Sequence, residues 1–169
     1  MSAQAPLTII EAFKERRSVR IFGGQSLTAE QQEALAQSIK EANSLETPFH
    51  SPGVEVSSTE PGLGNPRVIR GEAGFIVCKI PHTNSLQRNQ ITDVCYRAHH
   101  ALMRLAQNHV NTIWIAGTYD EDKAERRFKG YQIPSVIAIG NGEASREQNE
   151  RLKQMMGIQS GRFPFDQIF

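Results

Sequence analysis

Three arginines and a serine lie close together near the start of the chain and give its clearest chemical signal. They fall where a helix is expected to end and an extended segment to begin, at Arg16, Arg17, Ser18 and Arg20. The planar guanidinium group binds two phosphate oxygens at once, and a serine hydroxyl adds a further hydrogen bond. Strand alternation predicts that Ser18 and Arg20 point to one side and Val19 to the other. The cluster fits one phosphate group, although basic runs are more often exposed helix ends that suit the helix dipole.

No glycine-rich phosphate loop accompanies this cluster. Neither G-x-G-x-x-G nor G-x-x-x-x-G-K-[ST] follows a predicted strand. The run Gly140-Asn141-Gly142 comes between a predicted strand and a predicted helix, but it lacks a third glycine. We interpret this run as a plain turn, which leaves the arginine cluster as the main candidate phosphate site.

A second candidate site lies at the end of a predicted strand, Thr112–Ala116. Gly117 stops this strand, and a glycine lets backbone N–H groups approach a ligand closely. Ala116 and Gly117 are therefore candidates for main-chain contacts with a ligand. Trp114, within the same strand, is by itself more typical of a buried core aromatic.

The cysteine and histidine residues give weaker signals. Cys95 and His99 are four residues apart and would share one face of a helix, as two metal ligands must. No second Cys/His pair follows at ligand spacing, so ordinary packing or surface roles are favoured over metal binding. A catalytic triad lacks the support of a G-x-S-x-G motif.

Five helices are predicted around these candidates. The first two start at capping boxes, in which Thr8 is followed by Glu11 and Thr28 by Gln31. The other three are a long helix capped by Asp93 and ending near Asn108, a short charged helix at Asp120–Lys129, and a last helix from Ser145 through Met156.

Short apolar runs rich in β-branched residues predict the strands. These are Gly74–Ile80, Thr112–Ala116 and Val136–Ile139, with a further short strand at Val54 and Val56. Strands that alternate with helices in this way favour an α/β or a mixed α+β sandwich.

Length and charge limit the classes of protein to which the chain can belong. Its 169 residues predict a single domain, 1–169, with an aromatic tail at about 158–169 that packs on another surface, such as a partner. A net charge of +1 argues against a protein built to coat nucleic acid or an anionic membrane. The apolar runs are too short to span a bilayer, and residues 1–6 lack the pattern of a signal peptide, so a cytoplasmic location is expected.

Taken together, the segments resemble the nitroreductase family of FMN flavoproteins over about residues 8–169. Within that family they are closest to the first half of a subfamily whose chains hold two nitroreductase-like halves. Four pieces carry the resemblance by their order and spacing: Arg16–Phe22, Arg70–Val77, Thr112–Thr118 and Ile133–Gly140. The resemblance implies an α+β three-layer sandwich with a mostly antiparallel central sheet flanked by helices.

The resemblance also implies FMN as the cofactor. In the family an N-terminal R-x-S-x-[RK] segment holds the FMN phosphate, and this pattern falls here on Arg16, Ser18 and Arg20, with Arg17 adjacent. A basic pair near the end of the domain completes the phosphate contacts. Arg162 matches one member of that pair, while a serine at position 160 stands where a lysine is usual.

At the other end of the cofactor, the family places strand-end backbone over the flavin ring. The matching residues are Ala116 and Gly117, and Asn65 is the nearest match to an asparagine that touches the flavin. Family members also carry a P-S-[AS]-x-N-x-Q-P-W-like segment that cradles the ring edge from across the dimer or from the other half. Residues 42–49 lack that pattern, so the ring end of the site is predicted to be incomplete without a partner.

The implied function is that of an FMN-dependent NAD(P)H oxidoreductase, which passes hydride through the flavin to an electron-poor acceptor such as a nitro compound or a quinone. The expected assembly is a homodimer or a pair with a second nitroreductase-like half, with no nucleic-acid or membrane partner. The alternative is a catalytically silent nitroreductase-like domain that serves as a dimerisation or structural partner with little or no flavin. A phosphate- or RNA-binding module fits the near-neutral charge poorly. No catalytic side chain and no metal site is predicted.

Overall fold

The computed structural model describes residues 5–82 and 87–157. The predicted phosphate contact Arg162 and the serine at position 160 lie outside these residues. A six-stranded sheet forms the centre of the described chain, and all of its strand pairs are antiparallel. Strand β6 pairs with β1, β3 and β4, whereas β2 and β5 pair with β3. The strands are β1 (Phe22–Gln25), β2 (Glu55–Thr59), β3 (Gly74–Pro81), β4 (Asn111–Ile115), β5 (Tyr131–Gln132) and β6 (Val136–Glu143).

Within the described ranges, five helices pack around the sheet, and local capping signals start most of them. Thr8 and Thr28 form the capping boxes that their spacing to Glu11 and Gln31 predicts. Asp120 and Ser145 each accept a hydrogen bond from the backbone N–H three residues further on. The helices are α1 (Ile9–Glu15), α2 (Ala29–Ser44), α3 (Arg88–Gln107), α4 (Glu121–Arg127) and α5 (Arg146–Met155).

The two faces of the sheet bury different apolar clusters, because successive side chains of a strand point to opposite faces. On β3, Ile76 and Cys78 pack with residues of α1, α2 and α3, among them Ala98. Phe75 and Val77 pack on the other face with α4 and the loop after β2. The fold therefore has three layers: α1, α2 and α3 on one face, the sheet in the middle, and α4 with the loop after β2 on the other face. This confirms the predicted α+β sandwich with an antiparallel central sheet.

The predicted start of α3 is wrong. The helix begins at Arg88, and Asp93 lies inside it with its side chain fully buried. The Asp93 carboxylate accepts hydrogen bonds from the backbone N–H groups of Phe49 and Ser51, at 3.0 and 2.8 Å. Asp93 therefore fixes the loop between α2 and β2 instead of capping a helix.

The predicted turn at Gly140–Gly142 is also wrong, because β6 continues through Glu143. A strand missed in the sequence, β1, pairs with this extension. A Cβ atom added to Gly140 would lie 2.5 Å from the ring of Phe22. The glycine therefore lets the Phe22 ring lie directly against β6.

No helix in residues 5–82 or 87–157 is both long enough and apolar enough to cross a membrane.

Candidate functional site

The segment after α1 runs alongside β4 and then alongside Arg70, without forming a continuous strand. Arg16 is the C-cap residue of α1, which agrees with the predicted change from helix to extended chain. Ser18 then pairs in parallel with Thr112 of β4, whereas Ile21 pairs in parallel with Arg70. The chain bends at Arg20 between these two bridges. The segment therefore places Ser18 beside Thr112 near the start of β4, and Arg17 beside Glu143 at the end of β6.

Arg20 is the most unusual of these residues because its charged side chain is only 9% exposed. Its Nε and Nη1 atoms are buried and have no hydrogen-bond partner among the residues that the structure describes. Burial lowers the pKa of the Arg20 guanidinium, and the negative charge of Glu150 opposes this effect. A buried guanidinium with unused donors is costly on its own, and an anionic ligand would satisfy it.

Val19 and Arg20 are consecutive and both buried, which differs from the simple alternation expected of an extended segment. The difference follows from the bend at Arg20, since a bent chain turns neighbouring side chains toward different parts of the interior. Val19 packs in the cluster on the α4 face of the sheet.

Arg17 is paired with an acidic side chain of β6. Its guanidinium makes a salt bridge with the carboxylate of Glu143, whose side chain is mostly buried while that of Arg17 is more exposed. Arg16 lines a cavity of about 310 Å³ together with Arg17, His109 and Asn111, among others. The three arginines therefore have different neighbours, and one of them is neutralised within the chain.

The predicted ring end of the site lies just beyond the other end of β4. Ala116, Gly117 and Thr118 are all exposed. The backbone N–H of Asn65 donates to the carbonyl of Thr118 at 3.1 Å, and Gly64 pairs with Tyr119. The fold thus brings Asn65 next to the Ala116–Gly117 segment, although the two are far apart in the sequence. Its contact with a flavin stays a prediction.

The space around Gly117 is open. A Cβ atom added to this glycine would meet no atom of the described residues within 4 Å, and the φ angle of Gly117 is not positive. Neither backbone strain nor a crowded neighbour therefore requires glycine at this position. The backbone here is exposed, so a ligand can approach it closely.

Strand β4 connects the two candidate regions. Ser18 pairs with Thr112 near its start, and Gly117 follows its last residue, Ile115. Five residue steps at about 3.3 Å each separate Thr112 from Gly117 by roughly 16 Å along the strand. This length suits an elongated ligand with an anionic group at one end and a planar group at the other.

Sequence reasoning missed the side chain that holds the bend at Arg20. Asn149 of α5 is only 1% exposed. Its Oδ1 accepts hydrogen bonds from the N–H groups of Arg20 and Ile21, at 2.7 and 3.0 Å. Its Nδ2 donates to the carbonyls of Ile21 and Ser145, at 3.0 and 3.1 Å. No local signal marks this asparagine, because three of its four bonds reach residues almost 130 positions earlier.

Comparison with known proteins agrees with this architecture. The family model described as "Putative TM nitroreductase" matches residues 8–164 of the chain. The chain therefore belongs to this nitroreductase family. Among curated proteins, none matches it by sequence.

Several solved structures share the fold at low sequence identity. A nitroreductase family protein from Clostridium difficile 630 superposes with a TM-score of 0.66 at 15% identity, covering 96% of this chain and 97% of its own. A nitroreductase from B. subtilis gives a TM-score of 0.67 at 17% identity, covering 96% of this chain and 73% of its own. An FMN-dependent nitroreductase from Mycobacterium smegmatis, solved with NADPH, gives 0.66 at 11% identity over 95% and 96%.

Proposed function

We propose that this protein binds FMN and acts as an FMN-dependent NAD(P)H oxidoreductase that reduces an electron-poor acceptor, such as a nitro compound or a quinone. The observation that carries the proposal is the buried Arg20 side chain, whose Nε and Nη1 atoms lack partners in the described chain. Two unused donors on a fixed cation are what a phosphate monoester would bind. Family membership supports the same cofactor.

We expect the chain to hold FMN at both of its ends. Arg20 would bind the phosphate together with Ser18 and Arg16, and Arg162 would add a further cation. Backbone N–H groups of Ala116 and Gly117 would face the ring, where an added Cβ at Gly117 meets no described residue within 4 Å. Asn65 would approach the flavin from the adjoining loop. FMN, when bound, supplies the hydride-accepting and hydride-donating chemistry.

In this proposal the chain contributes binding and orientation, and no side chain is assigned as an acid or a base. The cation at Arg20 fixes the phosphate in a site with little water, where charge-assisted hydrogen bonds are strongest. The open backbone at Gly117 leaves one face of the ring accessible to a nicotinamide donor or an acceptor. These two contributions make the site selective for a phosphorylated, planar ligand.

We further propose that a second copy of the chain, or a separate nitroreductase-like half, completes the ring end. Exposed apolar side chains on α1 support such an assembly, since Ile9, Ile10 and Phe13 are 52%, 64% and 60% exposed. Apolar side chains grouped on one short helix are typical of an interface. A cytoplasmic location completes the proposal, with either NADH or NADPH as the hydride donor.

The test is whether the purified protein carries FMN. We expect flavin absorbance, release of FMN on denaturation, and oxidation of NAD(P)H with a quinone or nitro compound. Adding FMN at about 100 times its dissociation constant should raise the free energy of unfolding by roughly 2.7 kcal/mol. A colourless protein that FMN does not stabilise would contradict the proposal and favour the silent domain instead.

A further inference from the structure

In the described chain, the carbonyls of Arg20 and Ile21 accept backbone hydrogen bonds, from Arg70 and Ala144, whereas their N–H groups have no backbone partner. Two parallel bridges flank Arg20, at Ser18 and at Ile21, and they have different partners. The carbonyl of Arg20 accepts a hydrogen bond from the N–H of Arg70 at 2.9 Å. The N–H groups on the other side of the segment need a partner that no strand supplies.

Asn149 supplies that partner with a single side-chain amide. A side-chain amide has two N–H donors and a carbonyl oxygen with two acceptor positions, and Asn149 uses all four. The shortest of these hydrogen bonds, at 2.7 Å, is to the backbone N–H of Arg20 itself. Because the side chain is buried, replacing it would leave buried polar groups unpaired.

Asn149 also joins helix α5 to this segment. Of the ten residues in α5, only Asn149 is buried. The next residue, Glu150, contributes the negative charge that acts on Arg20, and it also forms a salt bridge with Lys153. One turn of α5 therefore both fixes the Arg20 backbone and sets the charge around its guanidinium.

We infer that Asn149 is the positioning residue of the phosphate-binding site: it holds the Arg20 backbone so that the buried guanidinium faces the phosphate of the ligand. This inference rests on the proposed function for the identity of the ligand, but the hydrogen bonds on which it depends are independent of FMN. Asn149 itself does not touch the phosphate. Its effect is on the selection of a phosphorylated flavin over one without a phosphate.

The test compares Asn149→Ala with a matched control, Asn43→Ala. The Asn43 side chain also fastens a helix to a strand, since it accepts from the N–H and donates to the carbonyl of Val56, both at 2.8 Å. Asn43 contacts none of the candidate phosphate-binding residues in these bonds. Both variants should therefore lose stability, whereas only Asn149→Ala should lose phosphate selectivity.

The measured quantities are the dissociation constants of FMN and of riboflavin, which lacks the phosphate. Asn149→Ala should weaken FMN binding roughly ten- to hundredfold, the range expected for the loss of a charge-assisted hydrogen bond. Riboflavin binding should change much less, so the preference for FMN falls. Asn43→Ala should keep the wild-type preference. Equal weakening of both flavins by Asn149→Ala would show a purely structural role and overturn the inference.

Hydrogen exchange separates failure of this inference from failure of the proposed function. In Asn149→Ala without ligand, the amide protons of Arg20 and Ile21 should exchange faster, while in Asn43→Ala they should exchange at the wild-type rate. If wild-type protein binds no flavin, the proposed function fails. The role of Asn149 toward the phosphate then fails as well, even when this exchange pattern is observed. If wild-type protein binds FMN but the exchange pattern is absent, only the role of Asn149 fails.

If Asn149→Ala does not fold, hydrogen exchange in the wild-type protein provides the test. Adding FMN should slow exchange at Arg20 and Ile21 more than riboflavin does, because only the phosphate immobilises the segment. The amide of Val56 serves as the internal control and should respond equally to both flavins. Equal slowing of Arg20 and Val56 by FMN would overturn the inference.

Discussion

Arg20 and Gly117 lie at opposite ends of the candidate site, and the chain surrounds them in opposite ways. Arg20 is a buried charge whose backbone is held by a side chain from α5. Gly117 is exposed, and none of the residues that the structure describes lies where its side chain would be. Affinity for an anion requires a desolvated and fixed cation, whereas a planar ring requires accessible surface. One end of the site is therefore tightly built, and the other is open.

This difference predicts how substitutions at the two ends should behave. A change at Arg20 should alter the stability of the free protein as well as ligand binding, because the side chain is part of the interior. A change at Gly117 should alter binding alone. The predictions below test this division.

The largest effect is expected from Arg20→Met, which keeps much of the length of the side chain but removes its charge. FMN affinity should fall by about 100-fold or more, the equivalent of roughly 3 kcal/mol. The free protein should become more stable, because a buried charge whose Nε and Nη1 atoms have no hydrogen-bond partner in the described chain is replaced by an apolar group. Flavin fluorescence titration and urea unfolding measure the two quantities. Unchanged affinity would remove Arg20 from the phosphate site.

A smaller but more selective effect is expected from Gly117→Val. The new side chain should occupy the open surface and weaken FMN binding about tenfold, while stability changes by less than about 0.5 kcal/mol. The control is Gly140→Ala, whose Cβ would meet the Phe22 ring at 2.5 Å. That change should cost about 1–3 kcal/mol of stability through overpacking. If Gly117→Val unfolds the protein instead, the description of an open ring end is wrong.

Glu143→Gln should act in the opposite direction and strengthen binding. The substitution removes the carboxylate that pairs with Arg17, so that guanidinium becomes available to the phosphate. FMN affinity should rise a few-fold, and the gain should shrink as salt is added. The stability change should stay below about 1 kcal/mol, because Arg17 is well exposed to solvent. An affinity that does not change with Glu143→Gln would place Arg17 outside the phosphate contacts.

The smallest effect is expected away from both ends, at the Glu41–Arg104 pair between α2 and α3. The pKa of Glu41 is lowered to about 2, mainly because Arg104 donates a hydrogen bond to its carboxylate. A lowered folded-state pKa adds stability that is complete above the ordinary value near 4.5 and is lost as the pH falls toward 2. Glu41→Gln should therefore remove about 1 kcal/mol or less at neutral pH and make stability less pH-dependent in that window. FMN affinity should stay constant, as a binding titration at neutral pH would show.

Local patterns predicted most of the secondary structure. The capping boxes at Thr8 and Thr28 and the apolar run of β3 are each readable within a few residues, and the structure contains all three. The helix start near Asp93 was mispredicted because an acidic side chain that suits a cap is used here in a tertiary contact, with backbone N–H groups 42 and 44 positions earlier. Strand β1 contains two glycines and therefore has almost no strand signal of its own.

The candidate site shows the same division between local and distant information. The arginine cluster is contiguous in the sequence and could be predicted as a unit. The salt bridge of Arg17 with Glu143 and the contact of Arg20 with Asn149 join residues 126 and 129 positions apart. Only the pairing of β1 with β6 and the return of the chain into α5 bring these residues together. The contacts that hold these arginines in place could therefore not be predicted from the spacing of residues in the sequence.

The spacing between the two ends of the site is fixed by the pairing of β4 with β6, which runs without interruption from Asn111↔Gly140 to Ile115↔Val136. Inserting one residue into β4 would turn every following side chain to the opposite face of the sheet. Only insertions or deletions of two residues preserve the burial pattern, and each moves the ends by about 6.6 Å. The length of ligand that this site accepts can therefore change only in large steps. Gradual changes in specificity must arise in the loops at either end of the strand.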